Sequence, residues 1–140
     1  MKNTKILTKL LALTLVVLMA VTALAGCKDA ITKSNKEKAN ATQENTITIT
    51  VKVIAADESE KTFTIETNKK YLGAALYDEG LVTKEEFESG FYTYIDGVRA
   101  DYTKDKCWWC FSKGGEAVID GANELEIADG DTFEITNTPA

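Results

Sequence analysis

The stretch KDKCWWCFSKGG, residues 104–115, decides how the rest of the chain is read. Cys107-Trp108-Trp109-Cys110 has the spacing of a redox pair, but such a pair works when its first cysteine sits at a helix N-terminus, which lowers the thiol pKa. Here Phe111-Ser112-Lys113 followed by Gly114-Gly115 has the pattern of a strand running into a turn. In an extended strand, residues three apart lie about 10 Å apart and point to opposite faces, whereas a disulfide needs Cα atoms within about 7 Å. The strand reading therefore favours two packed, reduced thiols. A bridge within a turn, and redox or metal work, stand as the alternatives.

A strand here also sorts the aromatics. Cys107, Trp109 and Phe111 share one face, and Trp108, Cys110 and Ser112 the other. The first face has the larger apolar load, so Trp109 reads as core. Trp108 then points to solvent or to a cleft. Upstream, Phe91, Thr93 and Ile95 alternate with Tyr92 and Tyr94 and end at the turn Asp96-Gly97, which predicts another strand with both tyrosines on its outer face. Trp108 beside Tyr92 and Tyr94 is either a ligand platform, since rigid aromatics bury large area at low entropic cost, or a face covered by a loop.

Further outward, Ile47, Ile49, Val51 and Val53 alternate with threonines and Lys52, and Phe63 and Ile65 alternate with Thr62, Thr64 and Glu66. These predict a hairpin. Leu72, Ala75 and Leu76 fall at helical spacing, Gly80 is placed for a left-handed cap with Leu81 packing back, and Lys84 to Glu88 offers one more turn. Leu125 with Ile127, and Phe133 with Ile135, supply the last strands. A hairpin, one short helix and several strands predict an α+β fold, mostly β, with a curled β-grasp-like sheet packed on that helix.

The first 26 residues read as a leader. Lys2, Lys5 and Lys9 precede the apolar run Leu10 to Leu24, and Leu24-Ala25-Gly26-Cys27 has the form of a lipobox whose cysteine takes a diacylglyceryl group. The expected organisation is a lipoprotein signal peptide over 1–26, the lipidated Cys27 with a flexible tether to residue 45, and one domain over 46–140. The expected location is the extracellular face of the cell membrane, anchored by lipid. Loss of the three leader lysines takes 16 basic residues to 13 against 22 acidic ones, a net charge of −9. Such a surface repels nucleic acid and anionic headgroups.

Histidine is absent, which excludes Ser-His-Asp and Cys-His catalysis and every His-containing zinc site. With Cys27 lipidated, two thiols cannot form a four-thiolate site. Asp96-Gly97, Asp120-Gly121 and Asp129-Gly130-Asp131 lack the closely spaced oxygen ligands of a calcium loop and read as turns.

In order along the chain, Tyr71-Leu72-Gly73-Ala74-Ala75-Leu76, Glu79-Gly80-Leu81, Ile95-Asp96-Gly97-Val98, Trp109 with Phe111, Gly115-Glu116 and Asp129-Gly130-Asp131-Thr132-Phe133 form a recurring set. The set resembles a bacterial domain family of surface lipoproteins that is similar to the C-terminal β-domain of transcobalamin. The resemblance spans about residues 46 to 138. Where members of that family usually carry a tyrosine after the phenylalanine and an Asn-Gly turn, this chain has Ser112 and Gly114-Gly115. The resemblance implies a ligand-binding or docking module and no enzyme, with no cofactor required. Its implied ligand is a corrinoid such as cobalamin, contacted by Trp108, Tyr92, Tyr94 and Trp109. Its implied partners are the membrane through Cys27 and a transporter or other surface protein. A protein- or glycan-interaction module without a small ligand is the other class of function.

Overall fold

A computed structural model describes residues 37–140. The leader, Cys27 and the first part of the expected tether lie outside the described residues. The domain is mixed α/β and mostly β. Strands β1 (Thr42–Ile54) and β2 (Glu60–Lys69) form the expected hairpin, with Ile49 opposite Ile65 and Val51 opposite Phe63. Strand β7 (Thr132–Pro139) runs parallel to β1, and β5 (Cys107–Lys113) lies antiparallel to β7 on its far side. The two-residue β6 (Glu116–Ala117) pairs only with Ser112 and Lys113, giving a five-stranded sheet of order β2-β1-β7-β5-β6.

The period-two pattern translates directly into layers. Ile47, Ile49, Val51, Val53, Ile65, Phe133, Ile135 and Trp109 are buried, while the residues alternating with them are more exposed and, Trp108 and Cys110 apart, polar. Strand β1 starts at Thr42, earlier than the alternation that begins at Thr46. Its polar first turn is held by hydrogen bonds: Gln43 Nε2 donates to the Lys69 carbonyl at 2.9 Å and the Lys70 amide to the Ala41 carbonyl at 2.8 Å. Hydropathy does not register such pairing.

On the buried face lies α1 (Leu72–Asp78), whose residues Leu72 to Leu76 are all buried. Its N-terminal donors have no side-chain cap; the Leu72 and Gly73 amides instead donate to the Leu125 and Ala122 carbonyls at 2.9 and 2.8 Å. The loop 121–127 thus caps the helix. It contains an isolated bridge, Tyr71 to Glu126, where a small strand over Leu125 and Ile127 is expected. At the other end Gly80 adopts φ +78°, its amide bonds the Tyr77 carbonyl and Leu81 bonds back to Leu76. That is the left-handed cap expected from Gly80-Leu81.

Lys84 to Glu88 does form a helix, α2 (Lys84–Ser89), opened by a capping box between Thr83 and Glu86. The expected strand over Phe91 to Ile95 is reduced to β3 (Tyr94–Ile95), paired with β4 (Val98–Arg99) through the Asp96-Gly97 turn. Both turn residues take positive φ, as a tight antiparallel turn requires. The reason the strand is short is Glu86. Only 8% exposed, its carboxylate accepts from the Thr93 and Tyr94 amides at 2.8 and 2.6 Å and from the Thr93 hydroxyl at 3.1 Å. Main-chain donors that would build a ladder are taken by a side chain, and the segment turns. A further short helix, α3 (Tyr102–Asp105), follows with Asp101 as its cap.

Candidate functional site

The hexapeptide that decides the reading is extended. Cys107 pairs with Pro139 and Cys110 with Thr136, and both thiols are free and half-buried. A bridge between them is ruled out by the strand geometry. Trp109, 6% exposed, faces the core, with Cys107 and Phe111 packed against it from the same side of β5. Trp108, 40% exposed, projects from the opposite, polar face. The two indoles thus diverge as the alternation requires.

Along β5 runs a groove of about 750 Å³. Trp108, Trp109, Cys110 and Phe111 all line it. Because consecutive side chains of a strand point to opposite faces, a groove touching all four must follow the edge of the strand. Its other walls are the segments 90–93, 100–103 and 118–122.

Three of its apolar residues stand out into solvent. Phe91 is 74% exposed, Ile119 fully so, and Tyr102 projects from α3 with its ring centroid 6.2 Å from that of Trp108. α3 is fixed by its Asp101 cap, which accepts from the Thr103 and Lys104 amides at 2.9 and 3.1 Å, and by the two-pronged Arg99–Asp105 pair at 2.8 Å. Donating these hydrogen bonds to Asp105 raises the Arg99 pKa above its ordinary value.

The expected pair of outward tyrosines is split. Tyr92 turns inward, its ring edge-on to Phe111 at 5.8 Å and its hydroxyl donating to Asn123 Oδ1. Asn123 in turn donates from Nδ2 to the Phe87 carbonyl at 2.8 Å. Burial, and next the charge of Glu86, push the Tyr92 phenol well above its usual range, so it remains a donor. Tyr94 stays outside the groove, opposite Arg99 in the β3–β4 pair. Trp109 contributes to the groove from below, and its Nε1 donates to the Thr93 carbonyl at 3.3 Å. Of the four residues expected around a ligand, Trp108, Tyr92 and Trp109 are brought together and Tyr94 is not. Phe91, placed by the alternation on the face opposite the outward tyrosines, is instead exposed at the groove because the strand does not extend that far, and Tyr102 and Ile119 escaped the sequence reading. The only signal for Tyr102 was a large aromatic residue between polar neighbours, and Ile119 closes the short apolar run Ala117-Val118-Ile119.

The chain is 42% identical to a solved protein of Ruminococcus gnavus ATCC 29149, over 67% of this chain and 98% of that one, with a TM-score of 0.60. It belongs to that protein's family. The relative is described as "a putative metal binding protein". Haptocorrin, solved in complex with Cbi, aligns at a TM-score of 0.55 with 20% identity, over 71% of this chain and 27% of its own. The chain thus spans about a quarter of haptocorrin's length, and the likeness is one of fold. The transcobalamin-like fold expected from the sequence is met at that level. No family model matches the chain, nor does any curated protein.

The described residues do not gather a donor set that fits a metal centre. Among the described residues no three His, Cys, Asp or Glu side chains converge on one point. The acidic turns use their oxygens internally: Asp129 accepts from the Thr48 amide at 2.8 Å, and Asp131 from the Ala128 amide at 2.8 Å and from Lys113 at 2.6 Å.

Proposed function

We propose that this protein is a lipid-anchored extracellular binding module whose edge groove receives a corrinoid for delivery to an uptake system. The observation that carries the reading is the groove itself, about 750 Å³ and rimmed by the exposed Trp108, Tyr102, Phe91 and Ile119. Exposed apolar residues gathered in one concavity mark a binding site. The fold likeness to haptocorrin in complex with Cbi supports a corrinoid as the ligand class. A sheet in which a parallel β1–β7 pair is flanked by hairpins on both sides supports the β-grasp-like description.

Within this reading Trp108 and Tyr102 cover the apolar faces of the ligand. Asp101 and Asp120 offer polar contacts at the walls, and the buried Trp109 with the half-buried Tyr92 holds the floor rigid. The titratable lining consists of Asp101, Asp120, Cys110 and two tyrosines, an arrangement that binds and does not assemble a nucleophile with a base. The leader and the lipobox at Cys27 support anchoring outside the cell.

Titration of the non-lipidated C27S protein with cobinamide and with cobalamin, followed by absorbance and calorimetry, tests the ligand. Saturable binding weakened at least tenfold in W108A is expected. No response to either corrinoid at high micromolar concentration refutes the corrinoid assignment. The complete exposure of Ile119 favours a second reading, a protein- or glycan-docking surface. In that case W108A abolishes partner capture while corrinoids give no signal.

A further inference from the structure

The groove contains main-chain chemistry as well as aromatics. Just before β5 the Lys106 carbonyl accepts from the Ala140 amide, on the side of β7, whereas on β5 the Phe111 carbonyl accepts from the Val118 amide on the opposite side. Peptide groups alternate along a strand, so the N–H and C=O of Trp108, Cys110 and Ser112 face β7 and those of Cys107, Trp109 and Phe111 face outward. Strand β6 reaches only Ser112 and Lys113. Among the described residues the Trp109 amide and carbonyl, the Cys107 carbonyl and the Phe111 amide therefore have no backbone partner. The free edge from Cys107 to Phe111 covers about 13 Å, the reach of roughly five partner residues.

Free edges are normally guarded by charge, proline or cover. The opposite edge strand, β2, carries Glu60, Lys61, Glu66 and Lys69. The open part of β5 reads Cys-Trp-Trp-Cys-Phe, with lysines only beyond it at Lys106 and Lys113. The charged residues of the groove lining are Asp101 and Asp120; Asp101 is matched by Lys104 at 3.7 Å, and Asp120 is unmatched among the described residues. The mature chain carries 13 basic against 22 acidic residues, a net of −9, so a second copy adding edge to edge meets repulsion.

We infer that the outer edge of β5 accepts an extended, lysine- or arginine-bearing peptide segment of a partner protein as an added sheet strand, with Trp108 and Ile119 flanking it. This goes beyond the corrinoid reading and does not depend on it. The test uses the C27S protein without corrinoid and a synthetic nine-residue peptide of alternating valine with lysine or threonine, titrated at low salt. Two further copies are N-methylated at alternate residues, one in each register, and a fourth has glutamate for lysine.

Saturable binding is expected, weakened at least tenfold in one N-methylated copy and in the glutamate copy. Hydrogen exchange at the Trp109 and Phe111 amides, fast in the free protein, is expected to slow at least tenfold on binding, while the Trp108 and Cys110 amides are slow throughout. The inference is overturned by no binding at high micromolar peptide, by both N-methylated copies binding like the parent, by equal binding of the glutamate copy, or by unchanged exchange at Trp109 and Phe111.

Discussion

Removing the Glu86 carboxylate should unfasten the wall of the groove. In E86A the Thr93 and Tyr94 amides, bonded at 2.8 and 2.6 Å in a place where Glu86 is only 8% exposed, lose their acceptor. Each buried donor left unpaired costs about 1–3 kcal/mol. Loss of the Glu86 half of the capping box, with the Thr83 hydroxyl still accepting from the residue-86 amide, adds up to about 1 kcal/mol. Allowing water to reach part of the site, the expected destabilisation is about 3–5 kcal/mol, which lowers the melting temperature of a domain this size by at least about 12 °C.

E86Q keeps one acceptor oxygen and should lose about 1–2 kcal/mol. Urea melts followed by tryptophan fluorescence measure both. Acidification supplies an independent check. Burial pushes the Glu86 pKa up, but the Tyr94 and Thr93 amides outweigh it and hold the carboxyl below its ordinary value. A depressed folded-state pKa contributes stability that is present above the unfolded value of about 4.3 and is lost as pH falls through the folded one. The advantage of wild type over E86Q should therefore shrink below about pH 4. An E86A protein within about 1 kcal/mol of wild type, or a wild-type advantage that grows on acidification, would refute the role given to this side chain.

The two indoles should separate stability from binding: W109A is expected to lose about 3–5 kcal/mol in chemical denaturation, and W108A less than about 1 kcal/mol. Gly73 sits where an added Cβ would lie 2.0 Å from Asn123 Oδ1 and 2.5 Å from the Tyr92 hydroxyl. G73A should therefore destabilise by about 1–3 kcal/mol despite alanine's better helix propensity, and a stabilised variant would contradict the packing described. A thiol reagent should titrate both Cys107 and Cys110 in unfolded C27S protein prepared without reductant. Reductant should leave its melting temperature unchanged, since a disulfide would be worth about 2–4 kcal/mol.

The amino-acid sequence by itself determined the strands whose signal is local. Alternation at Ile47 to Val53 and at Cys107 to Phe111 fixes which side chains face the core, because a strand has only two faces. The Gly80-Leu81 cap and the Asp96-Gly97 turn were equally legible, since glycine tolerates the positive φ that such a cap and turn require. Tertiary structure decided what depends on partners far along the chain. Glu86 reaches across to residues 93 and 94 and cuts short a strand that alternation alone predicts. Tyr92 is drawn inward by Asn123, thirty-one positions away, and Tyr102 meets Trp108 from α3, which the Asp101 cap and the Arg99–Asp105 pair hold in place. The groove exists because β6 stops after two residues and leaves the edge of β5 open, and a missing neighbour leaves no local pattern in a sequence.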